Sequence, residues 1–140
     1  MKPLVLLLLC LLFSTASTAF RQQSIGVYGR IMCDGRYYQG AEIKLWDKKL
    51  LGRDVELAVA TTQPNGFFNV SGGTSSLLKM DVHLKIYHNC ENKYGLCRRK
   101  VDLEVPSTYV TRTSQVERWF DAGTLNMAFK YPDESTECFG

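Results

Sequence analysis

Short segments in which apolar and polar residues alternate recur along this chain of 140 residues. In residues 81–88, for example, Val82, Leu84 and Ile86 are separated by polar or amphipathic neighbours. A repeat of two places successive side chains on opposite faces of a β-strand, so the pattern indicates half-buried strands. Gly, Pro, Asn and Asp separate the segments, and little of the chain between them has the apolar repeat of a long amphipathic helix. The sequence therefore predicts an all-β fold in which two antiparallel sheets form a sandwich.

Seven strands are predicted, at about residues 27–32, 41–46, 55–62, 67–70, 81–88, 97–105 and 123–129. Turn residues at Asp34-Gly35 and Pro64-Asn65-Gly66 predict chain reversals, since they supply a fixed or positive φ. Residues 71–79 offer possible N-caps for at most one short helical turn. Residues beyond Tyr131 are predicted to be a tail held only by Cys138.

The first 19 residues have the pattern of a secretory signal peptide. Lys2 precedes an apolar run from Leu4 to Phe13, and small residues lead up to Ala19. This run is too short for a membrane-spanning helix, which needs about 20 apolar residues. Cleavage is expected after Ala19, which leaves residues 20–140 as one secreted domain.

Four cysteines remain in the predicted mature chain: Cys33, Cys90, Cys97 and Cys138. An even number in an oxidising compartment indicates two disulfides, and four cysteines allow three pairings. The pairing of Cys90 with Cys97 is favoured because the six residues between them can reverse the chain. Cys33 and Cys138 would then pair, and so long a loop would contribute about 4 kcal/mol to stability.

Four sequence runs together resemble the nematode transthyretin-like family. The resemblance extends from about Ile25 to Cys138 and implies a secreted protein with the two antiparallel sheets of transthyretin. Hydroxyisourate hydrolases, which share this fold, end in a Tyr-Arg-Gly-Ser tetrapeptide, whereas this chain ends differently. The resemblance therefore implies neither the hormone transport of transthyretin nor the activity of the hydrolases. The runs are Val27-Tyr28-Gly29-Arg30 with Cys33, Tyr87-His88-Asn89-Cys90, Cys97-Arg98-Arg99-Lys100, and Asp121-Ala122-Gly123-Thr124-Leu125-Asn126.

The two histidines do not predict a catalytic site. His83 and His88 are five residues apart, so a strand directs them to opposite faces. A metal site formed by these histidines with Cys90 and Cys97 is not expected, because the spacing lacks a Cys-x-x-Cys pair and the compartment favours disulfides. The sequence predicts a protein that is not an enzyme, with hydrolysis of a small cyclic substrate as the alternative.

Several residues are candidates for modification or binding. Asn69-Val70-Ser71 is an N-glycosylation sequon. Two basic clusters are candidates for contact with an anionic lipid, a sulfated glycan or an acidic protein. They are Arg98-Arg99-Lys100, and Lys48-Lys49 with Arg53. The alternative for the first cluster is a solvated strand start in which Arg99 faces the apolar side.

The overall prediction is a secreted binding protein without a cofactor. The full chain has 17 Lys and Arg against 14 Asp and Glu, a balance that does not indicate nucleic-acid binding. Expected partners are an extracellular or cell-surface protein, an anionic lipid or glycan, or a small apolar ligand. Oligomeric state is left open. The aromatic residues Trp119, Phe120, Tyr37 and Tyr38 are expected to pack in the core or at strand edges more than to contact a partner.

Overall fold

The computed structural model describes residues 4–8, 22–93 and 95–138. Residues 4–8 form a helical turn within the predicted signal peptide. The predicted cleavage site after Ala19 lies outside the described residues. No helix in the described ranges has the length and apolar character needed to cross a membrane.

The described chain forms nine strands and one 3₁₀ turn, so the predicted β architecture is confirmed but the predicted count of seven strands is wrong. The additional strands are β2, which follows the Asp34-Gly35 turn, and β9, which forms in the segment predicted to be a tail. The strands are β1 Gln22–Cys33, β2 Arg36–Tyr37, β3 Glu42–Asp47, β4 Val55–Thr61, β5 Phe67–Ser75, β6 Val82–His88, β7 Cys97–Glu104, β8 Trp119–Asn126 and β9 Glu134–Cys138, with the 3₁₀ turn at Ser107–Tyr109.

Two sheets form the sandwich. In sheet A, β1 pairs with β2, β5 and β8, and sheet B has the order β4-β3-β6-β7-β9. The pairing of β1 with β8 is parallel, which corrects the prediction that every pair is antiparallel. The chain before β8 is long, which allows β8 to run beside β1 in the same direction. A short hairpin joins only antiparallel strands.

The segment after Val70 continues as a strand, where the sequence allowed at most one short helical turn. β5 continues through Gly72 and Gly73 to Ser75 and pairs with β1 from Gln22 to Arg30. A Cβ atom at Gly72 would lie 2.4 Å from the carbonyl oxygen of Leu57, and one at Gly73 would lie 2.2 Å from that of Gln23. The two glycines therefore allow β5 to approach its neighbours closely.

The core lies between the sheets and is formed by the inward side chains of both. As the alternation predicts, apolar residues of β3, β6 and β7 are buried on one face, while charged residues occupy the other face. Phe68 of β5 is the largest fully buried side chain, and Met127, which follows β8, is fully buried as well. The buried apolar residues include Ile25, Val27, Ile31, Ile43, Leu45, Val82, Leu84, Ile86 and Val101.

Both disulfides form, but their pairing differs from the prediction. Cys33 bonds to Cys90, and Cys97 bonds to Cys138. The predicted pairing is wrong because β9 adds to the edge of β7 and places Cys138 directly opposite Cys97. Cys90 is buried and meets Cys33 at the end of β1, so this bond joins the two sheets. Each disulfide closes a loop long enough to stabilise the fold by about 4 kcal/mol in the chain-entropy description.

Candidate functional site

Four exposed leucines occur in two loops at one end of the sandwich. Leu50 and Leu51, in the loop between β3 and β4, are 99% and 92% exposed. Leu77 and Leu78, in the loop between β5 and β6, are 71% and 76% exposed. We call residues 48–54 and 76–81 together the dileucine tip. Scattered exposed leucines are ordinary, but a group of four indicates an interaction surface.

One backbone hydrogen bond and the side chain of Asp47 hold the two loops of the tip beside each other. The amide of Lys48 donates to the carbonyl of Asp81 at 2.9 Å. The buried carboxylate of Asp47 accepts the amide of Asp81 at 3.0 Å and also contacts the ammonium of Lys49. Asp54 accepts the amide of Lys49 at 3.0 Å, which closes the first loop on itself. The leucines are therefore presented by two connected loops.

The second loop is also fixed from inside the core by Gln23, which is 1% exposed on β1. Its Nε2 donates to the carbonyls of Ser76 and Leu78, at 3.0 and 2.7 Å. Its Oε1 accepts the amide of Met80 at 2.9 Å. Because this one buried amide satisfies three backbone groups, the loop keeps a fixed path while its leucine side chains point to solvent.

A cleft of about 410 Å³ lies between the two loops. Leu50, Leu51 and Leu78 line it together with Lys48 and Lys79. The prediction from the sequence identified Lys48, Lys49 and Arg53 in the first loop as a basic cluster but missed the leucines of both loops. The available signal was a Leu-Leu pair beside lysine in each loop, a pattern that places apolar and cationic groups at one surface.

The cations of the tip differ in how they are paired. Lys49 contacts Asp47, and Lys48 lies 3.8 Å from Asp102. Among the described residues, Arg53 and Lys79 have no ion pair. The predicted basic cluster of Lys48, Lys49 and Arg53 thus lies beside the leucines, and the second loop adds Lys79 to it.

The other predicted basic cluster, Arg98-Arg99-Lys100, lies in β7, and both of its arginines contact glutamates. Arg98 contacts Glu137 at 2.8 Å and lies with Lys100 on the outer face of sheet B. The guanidinium of Arg98 is 4.8 Å from the ring centroid of Tyr87, and Lys44 and Lys100 flank the same ring. Burial raises the pKa of the Tyr87 phenol. Arg98 is therefore paired with an acid on this sheet face, while Lys100 lies beside the Tyr87 ring on the same face.

Arg99 is buried, as the alternative sequence interpretation expected, and it does not form an anion-binding site with its neighbours. Its Nη1 donates to the carbonyls of Cys90 and Met127, at 2.8 and 2.7 Å. Its Nη2 donates to the carbonyl of Phe129 at 2.9 Å and to the carboxylate of Glu134 at 2.6 Å. These four acceptors occupy both terminal nitrogens, so Arg99 joins β7 to the last turn and to β9.

The two histidines lie on opposite faces of β6, as predicted. His83 is on the outer face, where its Nδ1 lies 2.7 Å from Asp102 and its Nε2 3.5 Å from Asp81. His88 is buried in the core, and its Nδ1 accepts the amide of Cys90 at 3.0 Å. Burial lowers the pKa of His88 to about 4, with a further contribution from Arg99. In the described part of the chain, His, Cys, Asp and Glu form no group of three that could hold a metal ion.

The predicted aromatic candidates have different surroundings. Phe120 packs on Tyr109 with ring centroids 5.0 Å apart, and the hydroxyl of Tyr38 accepts the amide of Asn89 at 2.9 Å. Tyr37 stacks with Arg30 at 5.2 Å. Trp119 remains 41% exposed on the outer face of sheet A. Asn69 is exposed on β5 in the same sheet.

Two sheets around one apolar core, with one disulfide between the sheets and one at an edge, define a transthyretin-like β-sandwich. The sequence pattern of the Transthyretin-like family matches residues 28–106. The chain therefore belongs to the transthyretin-like family.

Three proteins of Caenorhabditis elegans are similar over almost the whole chain. Transthyretin-like protein 5 is 32% identical, and the match covers 96% of this chain and 97% of the relative. Transthyretin-like protein 33 is 33% identical, covering 93% and 92%. Transthyretin-like protein 46 is 36% identical, covering 98% of this chain and 76% of the relative. The family predicted from the sequence is thus confirmed.

Proposed function

We propose that this chain is a secreted binding protein that docks on an anionic membrane surface through the dileucine tip. The observation that carries this proposal is the exposure of Leu50, Leu51, Leu77 and Leu78 in two connected loops flanked by cations. The leader-like first 19 residues and the two disulfides support export.

The leucines would supply the apolar part of the binding energy. Transfer of a leucine side chain from water to an apolar environment is worth about 1.5–3 kcal/mol when it is complete. Four side chains that enter the boundary between headgroups and acyl chains only in part would still contribute several-fold changes in affinity. The loops need no rearrangement for this step, because the leucines already point to solvent.

The cations would supply the electrostatic part. The tip carries Lys48, Lys49, Arg53 and Lys79 against Asp54 and Asp81. A lysine or arginine near an anionic membrane contributes about 1 kcal/mol, and its aliphatic stem can lie along the apolar layer while the charge stays among the headgroups. The unpaired Arg53 and Lys79 are the cations best placed to make this contribution.

The chemistry of the tip favours a membrane over a protein partner. Protein interfaces are enriched in aromatic residues and depleted of lysine. The tip has no aromatic residue, and leucine and lysine are its most frequent residue types. Leucine with lysine at one surface is typical of proteins that bind the interfacial region of a bilayer.

The experiment measures partition of the purified, oxidised protein onto vesicles of phosphatidylserine and phosphatidylcholine, and onto vesicles of phosphatidylcholine alone. We expect binding to the anionic vesicles that decreases as salt is raised. The Leu50→Ser/Leu51→Ser and Leu77→Ser/Leu78→Ser variants should each weaken this binding about tenfold or more.

Leu96 provides the matched control for loss of an exposed leucine. It is 86% exposed but lies in the loop between β6 and β7, at the opposite end of sheet B. The Leu96→Ser variant should bind vesicles as the parent does. The proposal would be rejected if the tip variants bind vesicles as well as the parent does. It would also be rejected if the parent binds both kinds of vesicle equally tightly.

The proposal assigns a binding role and not catalysis. It is supported by the separation of the two histidines and by the occupied hydrogen-bonding groups of Arg99. The alternative, hydrolysis of a small cyclic substrate, predicts turnover of hydroxyisourate by the purified protein. Turnover that is lost on substitution of His83 would favour that alternative.

A further inference from the structure

The outer face of sheet A contains the only N-glycosylation sequon of the sequence, Asn69-Val70-Ser71. Asn69 and Ser71 are both exposed on β5, while Val70 between them is buried. A strand directs residues two apart to the same side, so the amide of Asn69 and the hydroxyl of Ser71 face solvent together. Phe67, two residues before Asn69, lies on that side as well.

Aromatic rings surround Asn69 on this face. Tyr28 of β1 lies directly opposite Asn69 and also pairs with Asp121 of β8. One step along the strands, Gly26 lies between Ser71 and Trp119. A Cβ atom at Gly26 would be 2.7 Å from the indole of Trp119, so the ring lies flat over this glycine with one face toward solvent.

A shallow depression of about 200 Å³ lies beside the sequon. Tyr28 and Phe67 line it with apolar ring surface, and Arg30, Asp121 and Thr124 add hydrogen-bonding groups. Flat ring surface next to polar groups fits a sugar, whose C–H groups pack on rings while its hydroxyls form hydrogen bonds.

We infer that Asn69 carries an N-linked glycan whose first sugars cover this outer face of sheet A. In the attachment step, Nδ2 of Asn69 forms a bond to C1 of the first N-acetylglucosamine of a lipid-linked oligosaccharide. The bond from C1 to the lipid pyrophosphate breaks, the amide loses a proton, and the lipid pyrophosphate leaves. The inference depends on the export that forms part of the proposed function.

A glycan at this position leaves the dileucine tip free. β5 continues for six residues from Asn69 to Ser75 before the second loop of the tip begins. At about 3.4 Å per residue, this separates the attachment site from the loop by roughly 20 Å along the strand. The glycan would therefore shield the aromatic face and would not occupy the surface that binds the membrane.

The test uses the full chain, with its own leader, secreted from nematode or insect cells. The parent and the Ser71→Thr variant, which keeps the sequon, should both lose the mass of one glycan on treatment with an amide-cleaving glycosidase. The Ser71→Ala variant keeps Asn69 but should show no loss. Secreted parent protein without mass loss, or chain retained in the cell without a glycan, would overturn the inference.

Coverage of the face is tested separately in a Trp46→Phe background, in which fluorescence reports Trp119. The glycosylated protein should be quenched by acrylamide at least twofold less than the Ser71→Ala protein. It should also unfold at a temperature higher by about 3 °C, and Phe67→Ser should reduce that difference. Equal quenching and equal unfolding temperatures would reject coverage.

Vesicle binding by the Ser71→Ala protein tests the proposed function independently, since that protein lacks the glycan.

Discussion

Nε2 of Gln23 donates a hydrogen bond of 2.7 Å to the carbonyl oxygen of Leu78. Gln23 is buried on β1, whereas the Leu78 side chain is exposed in the dileucine tip. The contact connects the core of the sandwich to the proposed membrane-binding surface. The position of the second loop therefore depends on a polar side chain inside the domain and not only on the residues of the loop.

Replacement of Gln23 should destabilise the fold and loosen the tip. In Gln23→Met the carbonyls of Ser76 and Leu78 and the amide of Met80 lose their partner. We expect the free energy of unfolding to fall by about 2–4 kcal/mol, because buried unsatisfied groups each cost about 1–3 kcal/mol. Urea unfolding measures the loss, and hydrogen exchange at Met80 should accelerate. Gln22→Met, at the exposed neighbouring position, should change neither quantity.

The disulfide pairing predicts the products of a tryptic digest without reduction. Cleavage after Lys and Arg places the four cysteines in peptides 31–36, 86–93, 94–98 and 131–140. The observed bonds join peptide 31–36 to 86–93 and peptide 94–98 to 131–140. Mass spectrometry should find both linked pairs. A linked pair of 86–93 with 94–98 would instead support the pairing expected from sequence spacing.

Arg99 should be far more important for stability than its neighbour Arg98. Arg99→Met leaves the carboxylate of Glu134 and three carbonyls without their donor in a buried site. Loss of one partner of a buried ion pair costs about 3–5 kcal/mol. Arg98→Met removes a partly exposed contact with Glu137 and should cost at most about 1 kcal/mol. Denaturant midpoints of the two variants compare these values directly, and equal losses would contradict the structural role of Arg99.

Stability should fall in mild acid because of His88. Its pKa of about 4 in the folded protein is below the ordinary value of 6.5, so the unfolded chain binds the proton more readily. The contribution of His88 is complete above pH 6.5 and is lost as the pH falls toward 4, at a cost of up to about 3 kcal/mol. The slope of the unfolding free energy against pH, measured from pH 7 to 4, tests this prediction.

In the His88→Gln variant, the free energy of unfolding should depend much less on pH. This holds even if the variant is less stable than the parent at neutral pH. His83→Gln is the matched control, since His83 lies on the outer face of the same strand and His88 remains in place. A slope that persists in His88→Gln would assign the acid sensitivity to other groups.

Strands were predictable from the sequence because alternation is a local property of adjacent residues. Alternation also placed His83 and His88 on opposite faces and directed Arg99 inward, as the structure shows. β9 was missed because Glu134–Cys138 has little apolar alternation, and this segment becomes a strand by pairing with the edge of β7. The continuation of β5 was missed because Gly72 and Gly73 resemble a turn until their close neighbours are known.

The sequence by itself determined the β character, the number of disulfides and the family of this protein. These properties depend on residue types and on spacings along the chain. Only the tertiary structure decided which cysteines pair, which cations remain unpaired, and that two Leu-Leu loops meet at one end. Such contacts join residues that are distant in sequence, and their free energy depends on how strands associate, which alternation alone does not specify.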